Sequence, residues 1–261
     1  MIERPPDLEG ESAPADRLPY RIARPYRVRF EEATASETMR TAIYLAWAAD
    51  IAWQHSTLIG FARDWYTARG LFWLVRAVRL DVLAPIPTYS EVLVTTQVAA
   101  YRRIAARRHS EVRDRSGGLI ARIEIDWVMV NERGIPTRVP EEMFAFVADG
   151  KVTFEMLKVG LPETPPDAVE RSFRVRRRDL DPLDHVNNSV YIDYFEEALE
   201  AAGQGSVLAA CPRRYEIDFV ASAERDDNLV GRTWPLGDGW AYRLSRADGT
   251  DIFRARVAAI G

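Results

Sequence analysis

Residues 179–196 read DLDPLDHVNNSVYIDYFE. The first ten place three carboxylates (Asp179, Asp181, Asp184), one of the chain's three imidazoles (His185) and two carboxamides (Asn187, Asn188) just ahead of apolar residues at helical spacing. A carboxylate beside the start of a partly buried helix can take a proton from water or attack a carbonyl itself. The first peptide N–H groups of a helix have no partner within it and sit at the positive end of its dipole, so they can steady an oxyanion. Together these groups suit hydrolysis at an activated carbonyl. The competing reading is structural: Asp181-Pro182 reads as an N-cap followed by proline at the first helical position. A cap alone has no need of His-Val-Asn-Asn, so Asp181 and His185 are expected to be catalytic. Asn187 and Asn188 divide between holding the loop and touching substrate.

The rest of the composition narrows the chemistry. There is no glycine-rich phosphate loop and no His/Cys cluster at ligand spacing, so neither a metal nor an organic cofactor is expected. The single cysteine, Cys211, excludes an intrachain disulfide and a cysteine-based zinc site. A net charge of −4 gives no overall attraction to nucleic acid or to a membrane surface. No apolar run approaches the ~20 residues of a membrane span. Residues 1–20, MIERPPDLEGESAPADRLPY, have the character of neither a signal nor a transit peptide and read as a flexible lead-in. A reducing, cytoplasmic location is expected.

The elements that must position the motif repeat within the chain. Shifted by 147 residues, YRVRF at 26–30 falls on FRVRR at 173–177, Thr34 on Asp181, Tyr44 on Tyr191, Trp47 on Tyr194 and Asp50 on Glu197. In the first half a helix is expected over about 35–58, with Thr34 and Glu37 as a capping box and Met39, Ile43, Trp47 and Ile51 on one face. Alternating strands follow at 71–83, 90–101, 106–114 and 119–130, with a hairpin turn at 115–118. In the second half the helix is expected over about 187–202 and strands over 213–221, 228–234, 240–246 and 251–260. A long apolar helix loaded with aromatic residues needs broad cover, and a curved antiparallel sheet wrapped around it supplies that cover. Two such units in one chain are expected to pack as an internal pseudo-dimer.

That arrangement is the hotdog fold, and DLDPLDHVNNSVYIDYFEE resembles the active-site segment of hotdog thioesterases, D-x-D-x-x-x-H-V-N-N-x-x-Y. Two such units in tandem resemble the acyl-ACP thioesterase family. FWLVRAVRLDVLAPIPTYSEVLVTTQV and DWVMVNERGIPTRVPEEM are similar to its N-terminal part. The resemblance implies an α+β double hotdog. It would comprise an N-terminal hotdog at 21–148 that shapes the acyl pocket, a linker at 149–169 and a catalytic hotdog at 170–261. It implies Asp181, His185, Asn187, Asn188 and the helix acid Glu197 as the catalytic set. Trp47 and Trp53 are expected to line the acyl channel. The implied partner is acyl carrier protein, acidic and phosphate-bearing, with Arg174, Arg176, Arg177 and Arg178 as a docking patch. A homodimer of double-hotdog units is compatible with this reading. The sequence departs from the plant-type pattern D-x-N-x-H by placing Leu183 at the Asn position, and it carries Ser222 and Ala223 where that family has Glu-Cys. What remains resembles bacterial hotdog thioesterases in which one Asp acts beside a helix N-terminus. An acyl-CoA thioesterase and a non-hydrolytic acyl-thioester-binding protein are the alternatives.

Overall fold

The computed structural model describes residues 19–147 and 154–260. The lead-in lies outside them except for Pro19 and Tyr20, as does the start of the expected linker. The strands are β1 (Arg21–Arg27), β2 (Leu71–Val82), β3 (Glu91–Tyr101), β4 (Ala105–Arg113), β5 (Leu119–Asn131), β6 (Val169–Arg174), β7 (Arg213–Phe219), β8 (Asn228–Leu236), β9 (Gly239–Arg246) and β10 (Asp251–Ala259). They join into one antiparallel sheet in the order β1-β3-β4-β5-β2-β7-β10-β9-β8-β6. The order reads as two copies meeting at a seam. Across it β2 pairs with β7, from Ala77 opposite Asp218 to Val82 opposite Arg213. The internal repeat is thus a pseudo-two-fold, as expected.

Each half wraps its sheet around a helix. Helix α1 (Thr41–Leu58) buries Ile43, Tyr44, Leu45, Trp47, Ala48, Ile51 and Ala52, leaving a narrow exposed stripe at Ala46, Asp50, Trp53 and Thr57. The short helix α2 (Arg63–Thr67) and a 3-10 turn at Glu141–Phe146, neither expected from the sequence, close the far end of this half over Tyr66, Tyr101, Met129 and Met143. Helix α3 (Val190–Ala201) buries Tyr191, Ile192, Tyr194, Phe195, Ala198 and Leu199 and is followed by the short helix α4 (Gly205–Ala209). The second core is filled with rings: Tyr191 stacks on Phe253 at 5.3 Å and Phe195 on Tyr242 at 4.9 Å. No helix among the described residues is long and apolar enough to cross a membrane.

Both long helices begin later than the apolar spacing predicts, at Thr41 and Val190. Thr34 and Glu37 form no capping box. They belong to a tight turn in which the Thr34 amide donates to the Thr38 carbonyl (2.8 Å) and the Ser36 amide to Thr34 Oγ1 (3.2 Å). Glu37 takes a left-handed φ of 58°. A short polar side chain that bonds the amide two residues on competes with helix, and positive φ then ends any helical run.

One buried polar pair has a consequence for stability. Arg108 donates to His55 Nδ1 (3.0 Å), which makes Nε2 the protonated nitrogen and lets it donate to the Pro19 carbonyl (2.9 Å). Burial, then the Arg108 charge, hold the imidazole down to about 4. The folded state therefore takes up the proton later than the unfolded chain. Stability is full above about pH 6.5 and falls toward pH 4, by up to about 1.4 kcal/mol per pH unit. Urea denaturation of wild type and His55→Gln at pH 7 and pH 5 should show a smaller loss in the variant. Equal losses would refute a neutral, buried His55.

Candidate active site

The loop before α3 is built on Asp179. This buried carboxylate accepts from the Arg176 amide (2.7 Å) and the Tyr194 hydroxyl (2.9 Å), pinning a 3-10 turn at Arg177–Asp179 to the helix. The chain then makes the counterpart of the Thr34 turn. The Asp181 amide donates to the His185 carbonyl (2.8 Å), and the Asp184 amide to the Asp181 carbonyl (3.0 Å). Asp184 has φ 61°, matching Glu37.

Asp181 is not the N-cap of α3, which corrects the capping reading. Ser189 holds that position, held in turn by Asn187, whose Oδ1 accepts from the Ser189 amide (3.0 Å) and hydroxyl (2.9 Å). Asp181 instead ties its own turn: Oδ1 accepts from the amides of Leu183 (2.8 Å) and His185 (3.3 Å). Among the described residues Oδ2 accepts no hydrogen bond. Asp181 and His185 are both half-buried. The proline at 182 lies in the turn rather than at a first helical position, so the loop is preorganised by Asp181 itself.

The backbone around the helix start is largely committed. The Val186 amide donates to the Ala223 carbonyl (3.0 Å), Asn187 to the Asp179 carbonyl (2.8 Å) and Val190 to the Asn187 carbonyl (2.9 Å). Among the described residues the Asn188 amide is the one in 185–190 without a protein acceptor. The segment 222–224 lies against this loop. His185 bridges Glu224, and the Ala223 amide donates to the Tyr191 hydroxyl (2.9 Å). Burial pushes that hydroxyl up to about 12, and the nearby Asp181 charge adds to the shift. Sequence reasoning missed Tyr191 as a link between loop and sheet. Leu183, 51% exposed, puts no polar group at the position it occupies, and Ala223 contributes only its backbone.

The remaining candidates fall elsewhere. Glu197 is exposed, ~10 Å along α3 from its start, and pairs with Arg171 at 3.9 Å. Trp47 is buried against Tyr26, with ring centroids 5.2 Å apart; Trp53 is 50% exposed, edge-on to Tyr66. Arg174, Arg176, Arg177 and Arg178 are all exposed, and Arg174 meets Asp226 at 2.9 Å. Strand β6 ends at Arg174, so strand alternation does not order the arginines beyond it. Arg213 is buried, and Arg214 makes a two-point pair with Asp81 across the seam (2.6 and 2.8 Å), so neither adds to that patch. Among the described residues no three His, Cys, Asp or Glu side chains gather as metal ligands.

Known proteins resemble the chain along most of its length. The family model described as the acyl-ACP thioesterase N-terminal domain matches residues 19–147, and that of the C-terminal domain matches residues 163–234. Oleoyl-acyl carrier protein thioesterase 2, chloroplastic, of Arabidopsis thaliana is 24% identical over 85% of this chain, which spans 67% of that relative. A chloroplastic acyl-[acyl-carrier-protein] hydrolase of Cuphea viscosissima is 25% identical over 89% of this chain, which spans 61% of it. In structure, an acyl-ACP thioesterase from Bacteroides thetaiotaomicron superposes with a TM-score of 0.79 at 14% identity, covering 92% of this chain and 97% of that one.

Proposed function

The chain belongs to the acyl-ACP thioesterase family, and from that premise we propose that it hydrolyses the thioester of a fatty acyl chain carried on acyl carrier protein. The products would be the free fatty acid and the carrier thiol, and release would end chain elongation. The observation that carries the reading is the Asp181 turn: one carboxylate oxygen is fixed by loop amides, and the other has no partner among the described residues, beside the start of α3. In the general-base form, Oδ2 takes a proton from water as the water oxygen attacks the thioester carbon. In the nucleophilic form, Oδ2 attacks first and water releases the acyl group from the carboxylate. In both, the tetrahedral oxyanion faces the helix start, where the Asn188 amide is available to donate, and its collapse breaks the C–S bond. The thiolate then takes a proton. His185 is placed to hold the water or the carbonyl, and Asn187 to hold the loop. Glu197, exposed on α3, has no part in these steps beyond its family position.

The acyl chain belongs in the N-terminal half, because the C-terminal core is closed by stacked rings. Trp47 and Trp53 would border it there. A panel of acyl-ACP and acyl-CoA substrates, read by free-thiol release, tests the proposal. Release from acyl-ACP supports it. Release from acyl-CoA alone would move the carrier assignment, and hydration of a crotonyl thioester without thiol release would replace hydrolysis with a different reaction.

The carrier is proposed to dock on the arginines around Arg174–Arg178. Exposed complementary charges act mainly on association and are screened over ~8 Å at physiological salt. Changing Arg176, Arg177 and Arg178 together to Glu should raise KM for acyl-ACP about tenfold or more, with kcat nearly intact and a weaker salt dependence. Wild-type kinetics on acyl-ACP in that variant would remove the arginines from the docking surface.

A further inference from the structure

The two halves of the molecule treat the starts of their central helices differently. In the repeat, Asn187 corresponds to Arg40, Asn188 to Thr41, Asp193 to Ala46 and Glu196 to Ala49. At the start of α1 the space facing α3 is occupied by acids of α3. Arg40 Nη1 pairs with Asp193 at 3.3 Å. Glu196 accepts from the Tyr215 hydroxyl at 2.6 Å. The buried Arg213 braces the cluster by donating to Thr41 Oγ1 (3.2 Å) and to the Tyr215 oxygen (3.1 Å). The chain thus seats two carboxyl groups of its own, Asp193 and Glu196, beside the start of α1. That half has Thr34 and Thr38 where the other has Asp181 and His185.

In the repeat Asp193 and Glu196 correspond to Ala46 and Ala49, so the pseudo-two-fold that pairs β2 with β7 directs these two alanines toward the start of α3. Each acid is replaced there by a methyl group. Ala46 is exposed and Ala49 half-exposed, on a helix whose other faces are buried. Trp53 continues the stripe one turn beyond Ala49 with an exposed indole. The start of α1 is thus covered by two carboxyl groups of α3, where the repeat gives α3 only two methyl groups of α1.

We propose that the α1 face carried by Ala46 and Ala49 is the second wall of the thioester site, opposite Asp181 and Asn188, and that Asp193 and Glu196 permanently fill the equivalent place in the other half. Ala46 and Ala49 are positioning residues: their small size leaves room for the thioester and the pantetheine arm. The inference rests on the thioesterase reading and extends it to a residue pair in the half that lacks the acid.

The test is to restore the plug. Ala49→Glu and Ala46→Asp introduce the side chains found in the other half, and Thr57→Glu places the same charge on an exposed position two turns further along α1. Two quantities are read on stably folded protein: kcat/KM for thiol release from acyl-ACP, and the Kd of non-hydrolysable S-octyl and S-hexadecyl thioethers of acyl carrier protein. Ala49→Glu should lower kcat/KM by about 100-fold, the scale of a misplaced reacting group, and weaken thioether binding about tenfold or more. Thr57→Glu should stay near wild type. Thioether binding by Ala49→Glu at wild-type strength would overturn the proposal, and it would do so even if the wild type released no thiol, a result that by itself would refute the hydrolase reading. A wild type that bound neither thioether would overturn both.

Discussion

Asp181→Asn is expected to keep the fold and lose the chemistry. The substitution preserves size, and the remaining carbonyl oxygen can still accept from the Leu183 and His185 amides that Oδ1 now serves. What disappears is the basic, negatively charged oxygen. Loss of a general base typically costs 10²–10⁴ in rate, so kcat for acyl-ACP should fall by roughly that factor. Asp181→Ala should lose activity to a similar extent and, by leaving two amides without their acceptor, about 1 kcal/mol of stability per bond as well. Thiol-release kinetics alongside urea denaturation separate the two effects. Near wild-type turnover by Asp181→Asn would reduce the residue to a turn-former.

The largest expected stability effect lies far from the loop, at Asp126. This carboxylate is fully buried on β5 and makes a two-point pair with Arg107 on β4, at 2.7 and 2.8 Å. Its Oδ2 also accepts from the Leu157 amide (2.7 Å), while Arg107 donates to the Glu155 carbonyl (2.8 Å) and lies over the Phe154 ring (4.6 Å). The segment between the halves is therefore clamped to the N-terminal sheet by one buried ion pair. Asp126→Ala strands the guanidinium and a backbone amide together, and breaking such a pair costs about 3–5 kcal/mol. The exposed Arg174–Asp226 pair should contribute about 0–1 kcal/mol. Urea denaturation of Asp126→Ala, Arg107→Ala and the double variant should show strong non-additivity. A loss under about 1 kcal/mol for Asp126→Ala would contradict the clamp.

Asp126 also shows where sequence reading stopped. In IEIDWV it is one more position in an alternating strand, and nothing local announces that its partners are Arg107 and a backbone amide thirty-one residues on. The strands themselves were legible because period-two alternation is a local signal: the expected 119–130 is Leu119–Asn131, and 251–260 is Asp251–Ala259. The repeat was legible too, and with it the pseudo-two-fold that joins β2 to β7. The helix starts were not. Apolar spacing continues back through Met39, but Thr34 and Asp181 spend their side chains on their own turns, and left-handed residues at Glu37 and Asp184 break the helical path. The Asp-x-Asp…His-Val-Asn-Asn segment pointed to the loop before α3, yet the bond from Ala223 to Tyr191 that holds that loop is tertiary and carries no spacing signature. The filled helix start at Thr41 became visible only when Glu196, Arg213 and Tyr215 were seen together.

Attack of water on an acyl thioester at the Asp181 loop is tested most directly by multiple turnover of an acyl-ACP in ¹⁸O-labelled water, with mass spectrometry of the acyl product and titration of the thiol. The expected result is one equivalent of thiol per acyl chain, free fatty acid carrying ¹⁸O in its carboxyl group, and neither product above background with Asp181→Asn. Acyl chains that stay on the carrier, or labelled acid formed equally fast by Asp181→Asn, would contradict it.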